Sequence, residues 1–216
     1  MKRLFLLQIL SLYFMACPKS DVVGPTTPSN PIYIVPLSIS NKWIQSITKY
    51  DSLGNVLSSY IDTLQFPLDT IVSNVHWFHR FREDNAFANV DSGFVIRLLP
   101  LANNPDAFWQ YKYPTIKGER YPFPSFTHAT FGDEWFVDTV LHSIVLSIDS
   151  LITVPAGSFH CIVYQTIFND TTKLNKTIDF LAPGFGPIRT EIYQSYNFGK
   201  NIYLFGSIVS TAIIIK

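Results

Sequence analysis

The sequence predicts an all-β fold built from antiparallel strands. Apolar and polar residues alternate in many short segments; in residues 141–153, for example, Ile144, Leu146 and Ile148 fall on the same side. Residues with turn chemistry separate such segments, as residues 51–55 do. No segment keeps apolar residues at helical spacing over three turns. We therefore expect about ten strands in a strongly curved antiparallel sheet, a half-barrel, with a β-sandwich as the alternative.

The predicted strands can be placed in order along the chain. Residues 43–50 and 56–63 flank the turn at 51–55 and form the first predicted hairpin. A single helical turn is predicted at Asn104-Pro105-Asp106, because proline suits the first helical position. The later strands alternate in the same way or are rich in β-branched and aromatic residues, and they cover residues 71–82, 93–99, 108–113, 134–140, 141–153, 159–168, 177–182, 188–195 and 202–211.

The start of the chain predicts export and a membrane anchor. Lys2 and Arg3 precede an uncharged, mostly apolar run over residues 4–16, which is typical of a signal peptide. The run is shorter than the ~20 apolar residues that a spanning helix needs. It ends at Ala16-Cys17, which resembles the bacterial lipobox. In a lipobox the cysteine carries lipid on its sulfur and becomes the new N-terminal residue. Plain secretion and an uncleaved anchor are the alternatives.

These features divide the chain into three parts. Residues 1–16 are predicted to be a signal peptide that is cut between Ala16 and Cys17. Residues 17–36 hold the lipidated cysteine and a tether, because repeated prolines favour extended chain. Residues 37–216 are predicted to form a single β domain. Lipid on Cys17 would hold this domain to a bacterial envelope membrane, and we expect the outer membrane.

Composition narrows the range of partners and cross-links. Cleavage would remove Lys2 and Arg3 from the 16 basic residues and leave all 16 acidic residues, so no strongly basic surface is expected. Nucleic-acid binding, which depends on clustered Lys and Arg, is therefore not predicted. The chain has two cysteines, and lipid on Cys17 would leave Cys161 without an intramolecular disulfide partner. The domain must then be stabilised by its core.

Two motifs predict turns and carry a resemblance. Residues 154–157, Val-Pro-Ala-Gly, suit a type I turn between two strands of a hairpin. Residues 183–187, Pro-Gly-Phe-Gly-Pro, suit a bend with positive φ at both glycines, and the prolines are expected to stop the strand ladder. With their flanking residues, over 153–159 and 180–191, they resemble a set of uncharacterised bacterial envelope lipoproteins with VPAGTF and YAPGVGLVK motifs. That set is similar to the periplasmic lipoprotein carriers, which implies a curved antiparallel sheet with an apolar concave face. The motifs are turns, so the resemblance implies no catalytic or binding residue.

A dense aromatic stretch is the predicted binding feature. Residues 108–114 and 121–126 combine rings with prolines, which favours loops. Two interpretations stay open: the rings cover an open end of the sheet as core, or they form a platform for an apolar or sugar ligand. The candidate ligand-binding residues are Trp109, Tyr111, Tyr113, Tyr121 and Phe123.

The polar residues do not form a recognisable catalytic pattern. His76 and His79 are three positions apart and would point to opposite faces of a strand, so they are not expected to share a metal ion. His160 and Cys161 are adjacent and would also diverge, which favours a core cysteine over a nucleophile pair. Asp133-Glu134 suits a solvated turn better than a pair of carboxylates facing each other across a substrate. We expect no catalytic residues, no metal site and no cofactor.

The sequence thus predicts a non-catalytic, lipid-anchored envelope domain that binds a ligand or partner through a curved sheet. Two alternatives remain open. One is a hydrolase of envelope or extracellular polymer, which would require a pair of facing carboxylates or a Ser and His in contact. The other is a structural accessory subunit, which would require an exposed sheet edge or a large flat apolar patch.

Overall fold

A computed structural model describes residues 33–80, 85–98, 107–128, 135–169, 174–196 and 201–216. Within these ranges the chain forms thirteen β-strands and no helix, which confirms the predicted all-β class. The strands are β1 Lys42–Tyr50, β2 Val56–Gln65, β3 Leu68–Val72, β4 Val75–His79, β5 Asn85–Val90, β6 Gly93–Leu98, β7 Phe108–Lys112, β8 Arg120–His128, β9 Trp135–Val154, β10 Gly157–Asn169, β11 Leu174–Ala182, β12 Gly186–Tyr196 and β13 Asn201–Ile214. The helical turn predicted at residues 104–106 lies outside the described ranges.

The strands form two antiparallel sheets. The eight-stranded sheet has the order β2-β1-β13-β12-β11-β10-β9-β8, and the five-stranded sheet has the order β3-β4-β5-β6-β7. Most neighbours are consecutive along the chain, as short hairpin connections favour. The exception is β1, which pairs with β2 on one side and β13 on the other. This pairing puts β2 and β8 at the two edges of the eight-stranded sheet.

The eight-stranded sheet is strongly curved, as predicted. In a flat sheet β9 and β13, four places apart, would be separated by about 19 Å. Here Cα atoms of β9 lie within 8 Å of Cα atoms of β12 and β13. The tip of the β9–β10 hairpin also touches β13, because the backbone N–H of Ala156 donates to the carbonyl of Ser210 at 3.4 Å. The sheet therefore curls until strands far apart in its order come together.

The main core lies between the two sheets. Trp43 of β1, Tyr121 of β8 and Tyr164 of β10 are almost fully buried there with Phe78 and Phe94 from the five-stranded sheet. The Tyr164 hydroxyl donates to the backbone carbonyl of Lys112 at 2.7 Å, and the Tyr121 hydroxyl donates to that of Gln110 at 3.1 Å. Both acceptors lie in β7. These two bonds fix the β7 edge of the small sheet to the large one.

A second core lies on the opposite face of β10 and β11. Ile162 and Leu181 belong to the main core, whereas their neighbours Cys161 and Ala182 belong to the second cluster. Adjacent strand residues point to opposite faces, so the large sheet buries side chains on both sides. Cys161 is fully buried as predicted, and burial raises the pKa of its thiol to about 12. A thiol in this state is a packing group, because the thiolate is the reactive form.

The predicted hairpins at residues 51–55 and 154–157 are confirmed. Asp51 stabilises the first by accepting hydrogen bonds from the backbone N–H groups of Leu53 and Asn55, both at 2.9 Å. In the second, Val154 pairs directly with Gly157. Residues 183–187 also connect neighbouring strands as expected.

The bend at residues 183–187 differs from prediction in one respect. Gly184 and Gly186 have φ values of 78° and 82°, as expected. Pro187, however, lies within β12 opposite Leu181, so it does not stop the ladder. A register shift between Phe180 and Leu181 accompanies that pairing.

Three other local predictions were wrong. Residues 134–140 and 141–153, which were predicted as two strands, belong to the single strand β9. Residues 71–82 do not form one strand, because Ser73 and Asn74 adopt φ values of 52° and 62° and turn the chain between β3 and β4. Asn tolerates this conformation, and positive φ at both central positions suits a two-residue hairpin. The prolines at 122 and 124 do not form a loop but belong to β8. Strand β8 is an edge strand, where a missing N–H donor can be tolerated.

The turn at Gly186 predicts a pair of stability measurements. Gly54 and Gly186 both have positive φ, but a Cβ at Gly54 would meet nothing within 4 Å, whereas one at Gly186 would lie 3.1 Å from the Trp43 ring. Gly54→Ala should therefore cost only the left-handed backbone penalty, about 1–2 kcal/mol. Gly186→Ala should cost about 1–3 kcal/mol more, because Trp43 must move. Urea unfolding measures both, and equal losses would contradict the packing argument.

Candidate functional site

A cavity of about 480 Å³ lies between the two sheets. One wall comes from β5, β6 and β7 of the five-stranded sheet, through residues such as Phe87, Ile96 and Tyr111. The facing wall comes from β1, β2, β11, β12 and β13 of the curved sheet, through residues such as Ile47 and Ile208. We call it the inter-sheet cavity. The cavity lies next to the main core, and strands of both sheets form its walls.

A row of aromatic rings forms the apolar side of the inter-sheet cavity. The rings of Phe66 and Phe87 have centroids 5.3 Å apart, those of Phe87 and Phe94 are 5.4 Å apart and nearly parallel, and those of Phe94 and Tyr111 are 6.1 Å apart. All four residues line the cavity. Ring pairs at these distances are mutually stabilising. The row is therefore a continuous apolar surface that ends in a phenol.

A buried carboxyl group lies behind that phenol. Asp179 of β11 is 8 % exposed, and burial raises the pKa of its carboxyl to about 6 against the opposing effect of hydrogen bonds from Thr190, Tyr111 and Thr177. The Thr190 hydroxyl donates to it at 2.7 Å. Burial, with the nearby charge of Asp179 second, also raises the pKa of Tyr111 well above its usual value. Since Tyr111 lies in β7 and Asp179 in β11, this contact joins the two sheets at the cavity.

Other polar side chains line the inter-sheet cavity. Gln110 lies beside Tyr111, and its side chain hydrogen-bonds to the Tyr111 hydroxyl. Gln45, Asp62 and Arg80 contribute polar groups from other parts of the wall. A mainly apolar cavity with a few placed polar groups is the usual character of a small-molecule site.

Asp179 should make stability depend on pH in an unusual direction. Its carboxyl pKa is about 6 in the folded protein, against 3.8 for an unperturbed aspartate. Between about pH 4 and 6 the folded chain thus holds a proton that the unfolded chain has released. Stability should fall as pH rises through this window, by about 3 kcal/mol for a shift of about two pKa units.

Urea unfolding at several pH values tests this dependence. Other carboxyls titrate in the same window, so the comparison is with Asp179→Asn, which should lack this part of the pH dependence. Asp149→Asn is the matched control, because the side chain of Asp149 is 70 % exposed. Wild type and Asp179→Asn with the same pH dependence would contradict the assignment.

The structure separates the predicted aromatic residues. Tyr111 lines the inter-sheet cavity, whereas Trp109 lines a second cavity of about 410 Å³ with Trp77 and Arg97. Regular alternation would put Trp109 and Tyr111 on one face. A register shift intervenes, since Phe94 pairs with Tyr111 but Val95 pairs with Trp109. This bulge leaves Gln110 as the extra residue between them.

The other three predicted aromatics lie elsewhere. Tyr121 is 2 % exposed in the main core, Tyr113 is partly buried against that core, and Phe123 is half-buried in β8. Tyr121 is core, and Tyr111 contributes to both the core and the cavity wall. The ligand-binding roles stay predictions. Ala16 and Cys17 lie outside the described residues.

The polar candidates from the sequence do not assemble at the cavity. His76 hydrogen-bonds to Asp69 and His160 to Asp149, and all four side chains are substantially exposed. Adjacent His160 and Cys161 diverge as expected, since one is exposed and the other buried. The described residues contain no group of three His, Cys, Asp or Glu side chains able to hold a metal ion. Asp133-Glu134 lies outside the described ranges, and the hydrolase alternative stays a prediction.

Asp179, Thr190 and Gln110 were not predicted from the sequence. A signal for Asp179 was present, because it interrupts the apolar side chains of Ile178, Phe180 and Leu181. A charged residue inside such a strand is seldom buried without partners. Its contact with Tyr111 depends on how the two sheets pack, which the strand pattern does not specify.

No family model matches this chain, and no curated protein matches it. Among solved structures it is similar to a candidate lipoprotein from Parabacteroides distasonis, with 12% identity and a TM-score of 0.48 over 86% of this chain and 100% of the other. It is also similar to a candidate exported protein with a YmcC-like fold from Bacteroides fragilis, with 10% identity and a TM-score of 0.45 over 85% of this chain and 100% of the other. None of the described residues forms a helix long and apolar enough to cross a membrane.

Proposed function

We propose that this chain is a lipid-anchored protein of the bacterial envelope whose β domain binds a small ligand without catalysis. The inter-sheet cavity carries the proposal. Its volume of about 480 Å³ lies within the range of about 300–1,000 Å³ typical of small-molecule sites. Walls from two sheets tied together by tyrosine hydrogen bonds favour a preformed site.

The wall chemistry favours an apolar or amphipathic ligand. Phe66, Phe87 and Phe94 offer a row of rings on which an apolar chain or the apolar face of a sugar could lie. The polar groups of Gln110 and Thr190 could orient such a ligand at one end. An apolar ligand and a glycan both remain within this proposal.

The anchor part of the proposal is supported by the sequence. The signal-like run to Ala16 and the adjacent Cys17 favour acylation, and several acyl chains on one residue hold a protein firmly to a bilayer. The proline-rich tether would hold the β domain away from the lipid surface. Within the envelope we propose the outer membrane as its location.

Native mass spectrometry with panels of lipids and glycans tests the ligand-binding proposal. Wild type is expected to retain at least one panel member. Ile208→Phe, which fills part of the inter-sheet cavity, should weaken that binding by about tenfold or more. Ile202→Phe is the matched control, because Ile202 lies in the same strand and is exposed. Absence of binding to every panel member, or equal weakening by both variants, would contradict the proposal.

A second function, as a structural accessory subunit, is favoured by the edge strand β2. Val56, Leu57, Tyr60 and Ile61 of this strand are exposed, and β2 pairs with β1 on one side only. An exposed apolar edge strand is a template for pairing with another chain. Size-exclusion chromatography with light scattering tests self-association. If the wild type is a monomer, Ile61→Lys should be a monomer as well. If the wild type assembles through β2, Ile61→Lys should dissociate the assembly.

A further inference from the structure

Three hydroxyl groups, two of them in the wall of the inter-sheet cavity, form hydrogen bonds with Asp179. The hydroxyl of Thr190 donates to its carboxylate at 2.7 Å, and the hydroxyls of Tyr111 and Thr177 also bond to it. An ionised carboxylate accepts hydrogen bonds and cannot donate. The hydroxyl protons of Thr190 and Tyr111 are therefore directed away from the cavity, toward the carboxylate.

This polarity determines what the cavity wall offers to a ligand. Thr190, Tyr111 and Gln110 all line the cavity. The Gln110 side chain hydrogen-bonds to the Tyr111 hydroxyl, which is already donating to Asp179, so Gln110 supplies an N–H there. The lone pairs of the Thr190 hydroxyl and the side-chain carbonyl of Gln110 then remain as acceptors. This end of the cavity is complementary to a group that donates hydrogen bonds.

The charges around Asp179 favour the same kind of ligand. Lys112 and Arg189 form ion pairs with Glu119 and Glu191, and no cation is among the groups that shift the pKa of the Asp179 carboxyl, although Arg80 also lines the cavity. The titratable groups facing it from β7 and β8 are the phenols of Tyr111 and Tyr121, and burial raises the pKa of each, which keeps them neutral. A buried carboxylate without a cation attracts positive charge and donor groups.

We propose that Asp179, acting through Thr190 and Tyr111, makes the inter-sheet cavity selective for amphipathic ligands with a hydrogen-bond-donating head, an ammonium or a hydroxyl group. The apolar part of the ligand lies along the row formed by Phe66, Phe87 and Phe94. Asp179 is a positioning residue, because it holds the orientation of the hydroxyl groups that line the cavity. This inference rests on the proposed ligand-binding function and adds the chemistry of the head group.

Three matched eight-carbon probes test the selectivity: octylamine, octanol and octanoate. The full chain is held in phosphatidylcholine nanodiscs, whose head groups lack N–H and O–H donors, and empty nanodiscs give the background. Isothermal titration near pH 7.5, where Asp179 with a pKa of about 6 is ionised, should show octanoate binding at least about tenfold more weakly than octylamine and octanol. Octylamine is positively charged at this pH and octanol is neutral, but both donate hydrogen bonds. Comparing their affinities therefore separates the effect of charge from that of hydrogen-bond donation.

Variants separate this role from general packing. Asp179→Asn should reduce the preference over octanoate to within about threefold, and the exposed control Asp149→Asn should keep it. If Asp179→Asn does not fold, Thr190→Val replaces it, because this variant removes the hydroxyl that is directed at the carboxylate and should lower the preference. Octanoate binding as tightly as octylamine to wild type would overturn the inference and leave the proposed function intact. Failure of all three probes would overturn the inference, and the lipid and glycan panel would then decide the proposed function separately.

Discussion

Replacing Cys17 with alanine is expected to abolish incorporation of labelled fatty acid into the protein. Acylation of a lipobox cysteine requires its sulfur, and alanine has none. Because the modified cysteine defines the cleavage position, the precursor should also keep residues 1–16. Metabolic labelling with an alkyne-tagged palmitate analogue in a bacterial host, followed by intact mass measurement, reads both changes.

The second cysteine supplies the control for that experiment. Cys161 is the other thiol of the chain and is fully buried in the β domain. Cys161→Ala should leave labelling and cleavage unchanged, although the lost packing lowers stability somewhat. Label that persists in Cys17→Ala, or that disappears in Cys161→Ala, would show that the anchor has been assigned to the wrong residue.

Trp43→Ala is expected to lower the free energy of unfolding by about 3–5 kcal/mol. Trp43 is fully buried in the main core, with its ring edge-to-face against Phe66 at 6.3 Å. Its indole N–H donates to the backbone carbonyl of Phe185 at 2.6 Å. The substitution removes the ring and leaves that buried carbonyl without its donor. Since small domains are stable by about 5–15 kcal/mol, much of the total would be lost.

Urea unfolding followed by circular dichroism measures this loss. Trp109→Ala is the comparison, because Trp109 is only partly buried and donates to the exposed hydroxyl of Ser92. Its loss should be clearly smaller. Trp43→Phe should fall between wild type and Trp43→Ala, since it keeps a ring but no donor. Similar values for Trp43→Ala and Trp109→Ala would contradict the central role given to Trp43.

The fold class was predictable because it depends on local patterns. Alternation along residues 141–153 and turn residues such as Asp51 and Gly157 are enough to specify antiparallel hairpins. The division into two sheets was not predictable in this way. The chain passes from one sheet to the other at the β2–β3 and β7–β8 connections, and the sheet that a strand joins depends on packing and not on its own alternation.

The candidate site was predictable only in part. The aromatic stretch indicated Tyr111 as a candidate ligand-binding residue, and Tyr111 lines the inter-sheet cavity. The bulge at Gln110 depends on pairing between β6 and β7, so the sequence did not indicate that Trp109 would line a different cavity. The Tyr111–Asp179 contact joins residues far apart in the chain, and its existence depends on sheet packing.

The position of β1 between β2 and β13 has a consequence for how the chain folds. Residues in contact across β1 and β13 are separated by 167 positions, as between Ile44 and Thr211. Closing a loop of this length costs entropy before any favourable contact forms, and such long-range pairing slows folding. A ribosome also makes β13 long after β1. The β1–β2 hairpin must therefore wait with one side of β1 unpaired, and this open strand edge can pair with other chains until β13 arrives.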